Sequence, residues 1–196
     1  LLQAEPDRLT RIGGIITGID MKRSKKDNRP WSILEVEGLD GTATCLVFAD
    51  VYEQFSDLIV PEKAVFLEGK TSRREEESTS LMVSKIIPLE EAPELLTSEL
   101  HVHVYEASTD HQRLEELHRV CANHPGTIPL VLCAVCGSGE IAFVKAPELQ
   151  ITNTESFRHQ VRQLLGEECL VQKAVREIQY DRGNGRWPPA GGAAVA

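Results

Sequence analysis

Through residue 88, apolar and polar residues alternate in short runs set apart by turn-forming residues. Residues 11–19 (RIGGIITGI) read as a β-branched strand whose glycines permit a tight bend or bulge. Residues 22–30 (KRSKKDNRP) interrupt the alternation with a polar, charged, turn-prone loop. Alternation resumes over residues 31–36 (WSILEV), Gly38-Leu39-Asp40-Gly41 supplies turn chemistry, and residues 42–48 (TATCLVF) form a third strand. The period then changes. Val51, Phe55, Leu58 and Ile59 fall at helical spacing, with Asp50 as the expected N-cap and Pro61 as the stop. Residues 64–69 and 81–87 read as two more strands, joined by residues 71–80. Three strands, a helix and two strands is the order of a five-stranded oligonucleotide/oligosaccharide-binding (OB) β-barrel.

The second half has another rhythm. Residues 88–98 (PLEEAPELLTS) carry two prolines and read as a linker or cap. Residues 101–105 alternate as a strand, and residues 110–124 place Leu114, Leu117, Val120 and Cys121 on one helical face that Pro125-Gly126 ends. Residues 128–135 and 141–144 flank Gly137-Ser138-Gly139, a hairpin signal. A second amphipathic helix spans residues 154–165 and stops at Gly166, before a short strand at 169–172. The order is β-α-β-β-α-β, which predicts a small α+β domain of the split βαβ kind. From Asp181 on, Gly, Pro and Ala replace any periodicity, the mark of a disordered tail. The expected organisation is an OB domain over residues 1–92, a linker at 93–99, an α+β protein-interaction domain at 100–174 and a flexible tail at 175–196.

Charge changes this picture at one place. The chain of 196 residues has a formal net charge of −9, so whole-molecule attraction to nucleic acid is not expected. Yet Lys22, Arg23, Lys25, Lys26 and Arg29 face only Asp27 within the loop after the first strand. In an OB barrel that loop, the loop after strand four and the faces of strands two and three make the binding cleft. Lysines and arginines there suit phosphates, whose counterions they release on binding. Trp31, opening the second strand beside the loop, is either a stacking partner for a base or a barrel core residue. Arg73 and Arg74 begin the second cleft loop, but Glu75-Glu76-Glu77 follow them and would repel phosphate. Phe48 and Phe55 are expected in the core.

These phrases together resemble a family. Residues 12–59 (IGGIITGIDMKRSKKDNRPWSILEVEGLDGTATCLVFADVYEQFSDLI), Glu68-Gly69-Lys70 and the closing P-L-E-E-A of residues 88–92 are similar to the C-terminal region of the alpha subunit of bacterial DNA polymerase III, the replicative family C polymerase. The aromatic strand entry at Trp31 and the V-F-x-x-x-Y-x-x-F run through Val47, Phe48, Tyr52 and Phe55 belong to the same set. Residues 100–104 (LHVHV), 124–126 (HPG) and 143–147 (FVKAP) are similar in kind to that family's last domain. The resemblance implies an OB module that engages single-stranded template DNA. It also implies a C-terminal domain that contacts the tau subunit of the clamp loader or another replisome protein, in a bacterial cytoplasm. The polymerase carboxylates that hold divalent magnesium have no counterpart here. No cofactor and no catalytic residue are therefore expected in this segment. The chain opens Leu1-Leu2-Gln3-Ala4-Glu5, with neither an initiator Met nor a signal-peptide pattern, and is read as a piece of a longer one.

Other constellations carry less. Cys133 and Cys136 form a lone CxxC where a structural zinc needs two more ligands, and Cys121, Cys169, His101 or His103 would have to be recruited. Five scattered cysteines argue against a disulfide framework. No apolar run approaches the roughly 20 residues of a membrane span. Over residues 98–173 ten acidic residues outnumber six basic ones, which suits a protein partner better than DNA. Three other readings stay open: a tRNA- or RNA-binding OB module of a synthetase-like protein, an error-prone polymerase paralogue, and a pair of interaction scaffolds.

Overall fold

The computed structural model describes residues 7–74, 78–175 and Ile178, with the backbone alone at residues 73, 74 and 78. The expected tail therefore lies almost wholly outside the described residues. So do the side chains of Arg73 and Arg74 and the three glutamates after them. The chain divides into two compact units, parted between Pro88 and Leu89.

In the first unit, β1 (Leu9–Arg23), β2 (Pro30–Gly38), β3 (Gly41–Val47), β4 (Ala64–Arg74) and β5 (Ser78–Pro88) close a barrel in the order β1-β2-β3-β5-β4. All pairings are antiparallel except β3 with β5. The barrel is the predicted OB architecture. β1 serves two neighbours: its first half pairs with β4 and its second half with β2, so the strand must bend between them. Gly14 lies at that bend, where a Cβ would collide with the Glu37 carbonyl oxygen, and only glycine lets the two backbones approach so closely.

Inward positions alternate as the sequence demands. Leu34 and Val36 of β2, Cys45 and Val47 of β3, Val65 and Leu67 of β4, and Leu81 and Val83 of β5 are essentially fully buried. The barrel end is closed by α1 (Ala49–Phe55) and the 3-10 turn Ser56–Leu58, whose Val51, Tyr52, Phe55 and Leu58 pack on this core. The helix begins two residues earlier than expected. Phe48, not Asp50, occupies the N-cap, and it provides no side-chain cap. Asp50 instead lies in the first helical turn. Among the buried residues is one carboxylate, Glu68. It is directly opposite Arg11 in the β1–β4 register, and Arg11 Nε donates to Glu68 Oε1 at 2.6 Å.

The second unit comprises α2 (Ala92–Leu95), β6 (Thr97–Tyr105), α3 (His111–Ala122), β7 (Pro125–Val135), β8 (Ile141–Ile151), α4 (Glu155–Leu165), a 3-10 turn (Glu167–Cys169) and β9 (Leu170–Ala174). Both long helices start on the expected residues. Asp110 accepts from the Arg113 N–H at 2.9 Å and Thr154 from the Phe157 N–H at 3.2 Å. Leu117 and Cys121 of α3 and Phe157 and Val161 of α4 pack on Leu100, Val102, Ile128 and Leu130 of the sheet.

Two expectations are corrected here. The β-α-β-β-α-β order holds, but the split does not: the sheet runs β8-β7-β6-β9, with β6 and β7 as direct parallel neighbours. A strand inserted between them would have to come from the β7–β8 hairpin, and β7 is the better interior strand. It is apolar on both faces, with Leu130 facing the helices and Val131 and Cys133 buried on the other side. β8 is exposed through residues 141–145, and Pro147 falls where its register slips against Pro129 and Leu130, which confines it to the edge. The second correction concerns residues 93–99. The expected linker is built into this unit, since the buried Asn153 Nδ2 donates to Pro93 O at 2.8 Å and to Thr97 Oγ1 at 3.1 Å. Those residues are short and carry few periodic positions, so their anchoring through one distant asparagine leaves no local signal.

All five cysteines are free thiols. Burial pushes the Cys45 thiol up to about 12 and the Cys121 thiol up to about 11. Cys136 alone is only half-buried. Under native conditions near about pH 8, an alkylating reagent is expected to label Cys136 first, with Cys45 and Cys121 reacting only on unfolding. Mass mapping of the labelled peptides checks this; early labelling of Cys45 would contradict the barrel packing.

Candidate nucleic-acid interface

The loop between β1 and β2 is short and internally braced. Ser24 N–H donates to Arg29 O at 2.9 Å and Asn28 N–H to Ser24 O at 3.0 Å, closing a turn in which Asn28 takes a left-handed φ of 57°. Asparagine tolerates that conformation better than most residues. Arg23 Nη1 donates to Asn28 O at 3.1 Å, so its guanidinium supports the turn from below. The Ser24 hydroxyl and then the Arg29 backbone N–H hold the Asp27 carboxyl below its ordinary value.

Three further carboxylates meet this loop, one from its own strand and two that the tertiary structure brings from α1. Lys22 Nζ lies 3.0 Å from Asp20 Oδ2 on the same strand. Arg29 is gripped from α1: its Nε donates to Glu53 Oε1 at 3.0 Å, its Nη2 to Glu53 Oε2 at 2.8 Å, and Nη2 also meets Asp50 Oδ1 at 2.7 Å. Glu53 and then Asp50 push the guanidinium further above its ordinary range, and Arg29 in turn holds Glu53 below the usual carboxylate value. Five cations thus face four carboxylates, a local balance of +1 where the loop sequence alone shows +4. Lys25 and Lys26 are exposed at the loop tip and have no ion pair among the described residues.

Beside the loop is a flat surface. Lys22 is opposite Trp31 in the β1–β2 register, and the Trp31 ring stacks on Phe48 with centroids 6.0 Å apart and planes 27° apart. Both rings are half-buried and neither belongs to the barrel core cluster. Trp31 is therefore not a barrel core residue, and the expectation of Phe48 in the core is corrected, whereas Phe55 does pack on the core. The reason is strand alternation: Ser32, Leu34 and Val36 point inward, leaving Trp31, Ile33, Glu35 and Glu37 to the outer face. Ile33 pairs with Leu46 and Leu46 with Met82, which continues a half-buried apolar stripe from the aromatic pair across three strands. Farther along β2, Glu35 and Glu37 are exposed and make that end unfavourable to phosphate.

The arrangement can stack one or two bases on Trp31 and Phe48 while Lys22, Lys25 and Lys26 meet the adjoining phosphates. Ile33, Leu46 and Met82 are not singled out by the sequence, which places Phe48 in the core. The available signal was the alternation in WSILEVEG, where the apolar residues occupy both faces.

In the second unit, Cys133 Sγ is 3.5 Å from His101 Nδ1, and His101 Nε2 is 3.2 Å from Glu99 Oε2. Among the described residues no group of three or more His, Cys, Asp and Glu is arranged to hold a metal ion. Burial raises the Cys133 thiol, which leaves it a poor nucleophile. No described helix is long and apolar enough to cross a membrane.

Residues 10–89 match the family model of the OB-fold nucleic acid binding domain, tRNA_anti-codon. The chain is similar to DNA polymerase III subunit alpha of Saccharopolyspora erythraea, 26% identical over 164 residues that make up 82% of the chain and 14% of that protein. The same subunit of Mycobacterium tuberculosis is 24% identical over 84% of the chain and 14% of its own length. That of Halalkalibacterium halodurans is 23% identical over 87% of the chain and 15% of its own length. The chain thus spans about one seventh of these relatives. Among solved structures, the SSB domain of a Synechococcus protein is alike over 43% of the chain and 97% of its own, at 14% identity and a TM-score of 0.36. A mitochondrial single-stranded DNA binding protein from S. cerevisiae is alike over the same shares, at 17% identity and a TM-score of 0.34.

Proposed function

From an OB-fold nucleic acid binding domain at residues 10–89, in a chain similar over most of its length to DNA polymerase III alpha subunits, we propose that this segment guides single-stranded template DNA. The observation that carries the reading is the Trp31–Phe48 stack lying beside the lysine-bearing loop on the outer face of the barrel. Lys22, Lys25 and Lys26 serve the backbone, Trp31 and Phe48 the bases, and Arg23 braces the loop. Arg73 and Arg74, the last residues of β4 before the other cleft loop, are proposed as secondary contacts. Such contacts hold any sequence, which suits a strand that must move.

The parent polypeptide is proposed to copy DNA with magnesium ions held in a domain outside this sequence, in the bacterial cytoplasm. The second unit is proposed as the dock for a replisome protein, the tau subunit of the clamp loader in the first instance. Its acidic balance and its exposed Ile141, Phe143 and Tyr105 support a protein partner over nucleic acid. Co-purification of the chain with tau, lost on Phe143→Asp, is the expected result; undiminished binding by that variant would remove this face from the interface.

Titration with labelled oligothymidylate and with folded tRNA tests the first unit. Single strands are expected to bind, with affinity falling as salt rises. Tight preference for tRNA would favour the anticodon-binding reading that the family model's name allows. Trp31→Ala should weaken binding by about 1–3 kcal/mol, the loss of one stacked base. An unchanged affinity would remove the aromatic pair from the site.

A further inference from the structure

Arg29 is the one loop cation that is held on two sides by another element. Its Nε and Nη2 make three contacts of 2.7 to 3.0 Å with Glu53 and Asp50 of α1, in the forked geometry by which an arginine grips an anion. Its neighbours differ: Lys22 has one carboxylate, Arg23 a backbone carbonyl, and Lys25 and Lys26 none among the described residues. We infer that Asp50 and Glu53 act as a built-in phosphate mimic, occupying the Arg29 fork so that it is withheld from the DNA backbone. The inference rests on the single-strand reading proposed above and names how that site is restrained.

The charges decide which anion holds the fork. Two carboxylates bring two negative charges to the guanidinium, while one backbone phosphodiester brings one. A phosphate that displaced them would also remain beside both released carboxylates and be repelled by them. The side chains are part-exposed, 36% for Arg29, 70% for Asp50 and 53% for Glu53, so no burial barrier prevents the exchange and the balance is electrostatic. Restraint of this kind keeps affinity low on a surface past which a strand must slide, and it leaves Lys25 and Lys26 as the principal backbone contacts.

The test is a mutant cycle read by anisotropy of a labelled oligothymidylate across a salt series. Asp50→Asn with Glu53→Gln is expected to raise affinity about 10-fold and to steepen the slope of log K against log salt by about 0.7, one added phosphate contact on a single strand. In an Arg29→Ala background the same two changes should give neither gain. A gain of equal size in that background would mean a general field effect and overturn the inference; so would no gain in the wild-type background. A second measurement needs no variant. The Arg29 Nε–Hε resonance should hold its position at saturating oligonucleotide, and a marked shift would show the fork engaging DNA. If the unaltered protein binds no single strand at all, the parent reading fails instead, and the two failures are distinct.

Discussion

Changing Lys22, Arg23, Lys25 and Lys26 together to alanine is expected to cost on the order of 100-fold in affinity for single-stranded DNA at low salt. Each lysine that pairs with a phosphate contributes about 0.7 to the slope of log K against log salt, so losing Lys25 and Lys26 alone should flatten it by about 1.4. Lys22 contributes less because Asp20 lies 3.0 Å from its Nζ, and Arg23 acts through the turn it supports. Arg29 is left in place because its fork is held by α1. Anisotropy titrations between about 0.05 and 0.2 M salt read both quantities. Equal binding by the four-residue variant would sink the loop assignment, whatever the behaviour of Trp31.

Arg11→Met is expected to destabilise the barrel by about 3 kcal/mol. The Glu68 side chain is 5% exposed and that of Arg11 17%, so removing the guanidinium leaves a carboxylate between strands with little water to receive it. Breaking such a pair from one side costs far more than the pair contributes net, because the remaining charge keeps its desolvation penalty. Arg11→Met combined with Glu68→Leu should therefore recover most of the loss. Urea midpoints of the three proteins measure this. A single variant within about 0.5 kcal/mol of wild type, the range of ordinary surface changes, would contradict the buried-pair account.

How much of this was legible follows from which interactions are local. The barrel strands could be read because each has a two-residue period, and Leu34, Val36, Cys45 and Val47 fall on the inward beat. Asp110 and Thr154 could be read as caps because a cap acts on a backbone N–H only three residues away. Phe48 could not, since its place on Trp31 depends on how β2 and β3 align across the barrel. The order of the second sheet was open for a related reason. The β-α-β-β-α-β succession fits either hairpin strand beside β6, and the choice lay in β7 being apolar on both faces while β8 carries Lys145, Pro147 and Glu148.

The basic loop divides the same way. Sequence by itself determined an OB barrel, the polar loop after its first strand and the lysines at the loop tip, because these rest on period, turn chemistry and local charge. Only the tertiary structure decided what that charge can do. Folding carries Asp50 and Glu53, more than twenty residues along the chain, onto Arg29 and turns a patch of +4 into +2, which Asp20 beside Lys22 lowers to +1. Coulomb interactions at contact distance ignore separation along the chain, so no local window reveals which cations the fold leaves free.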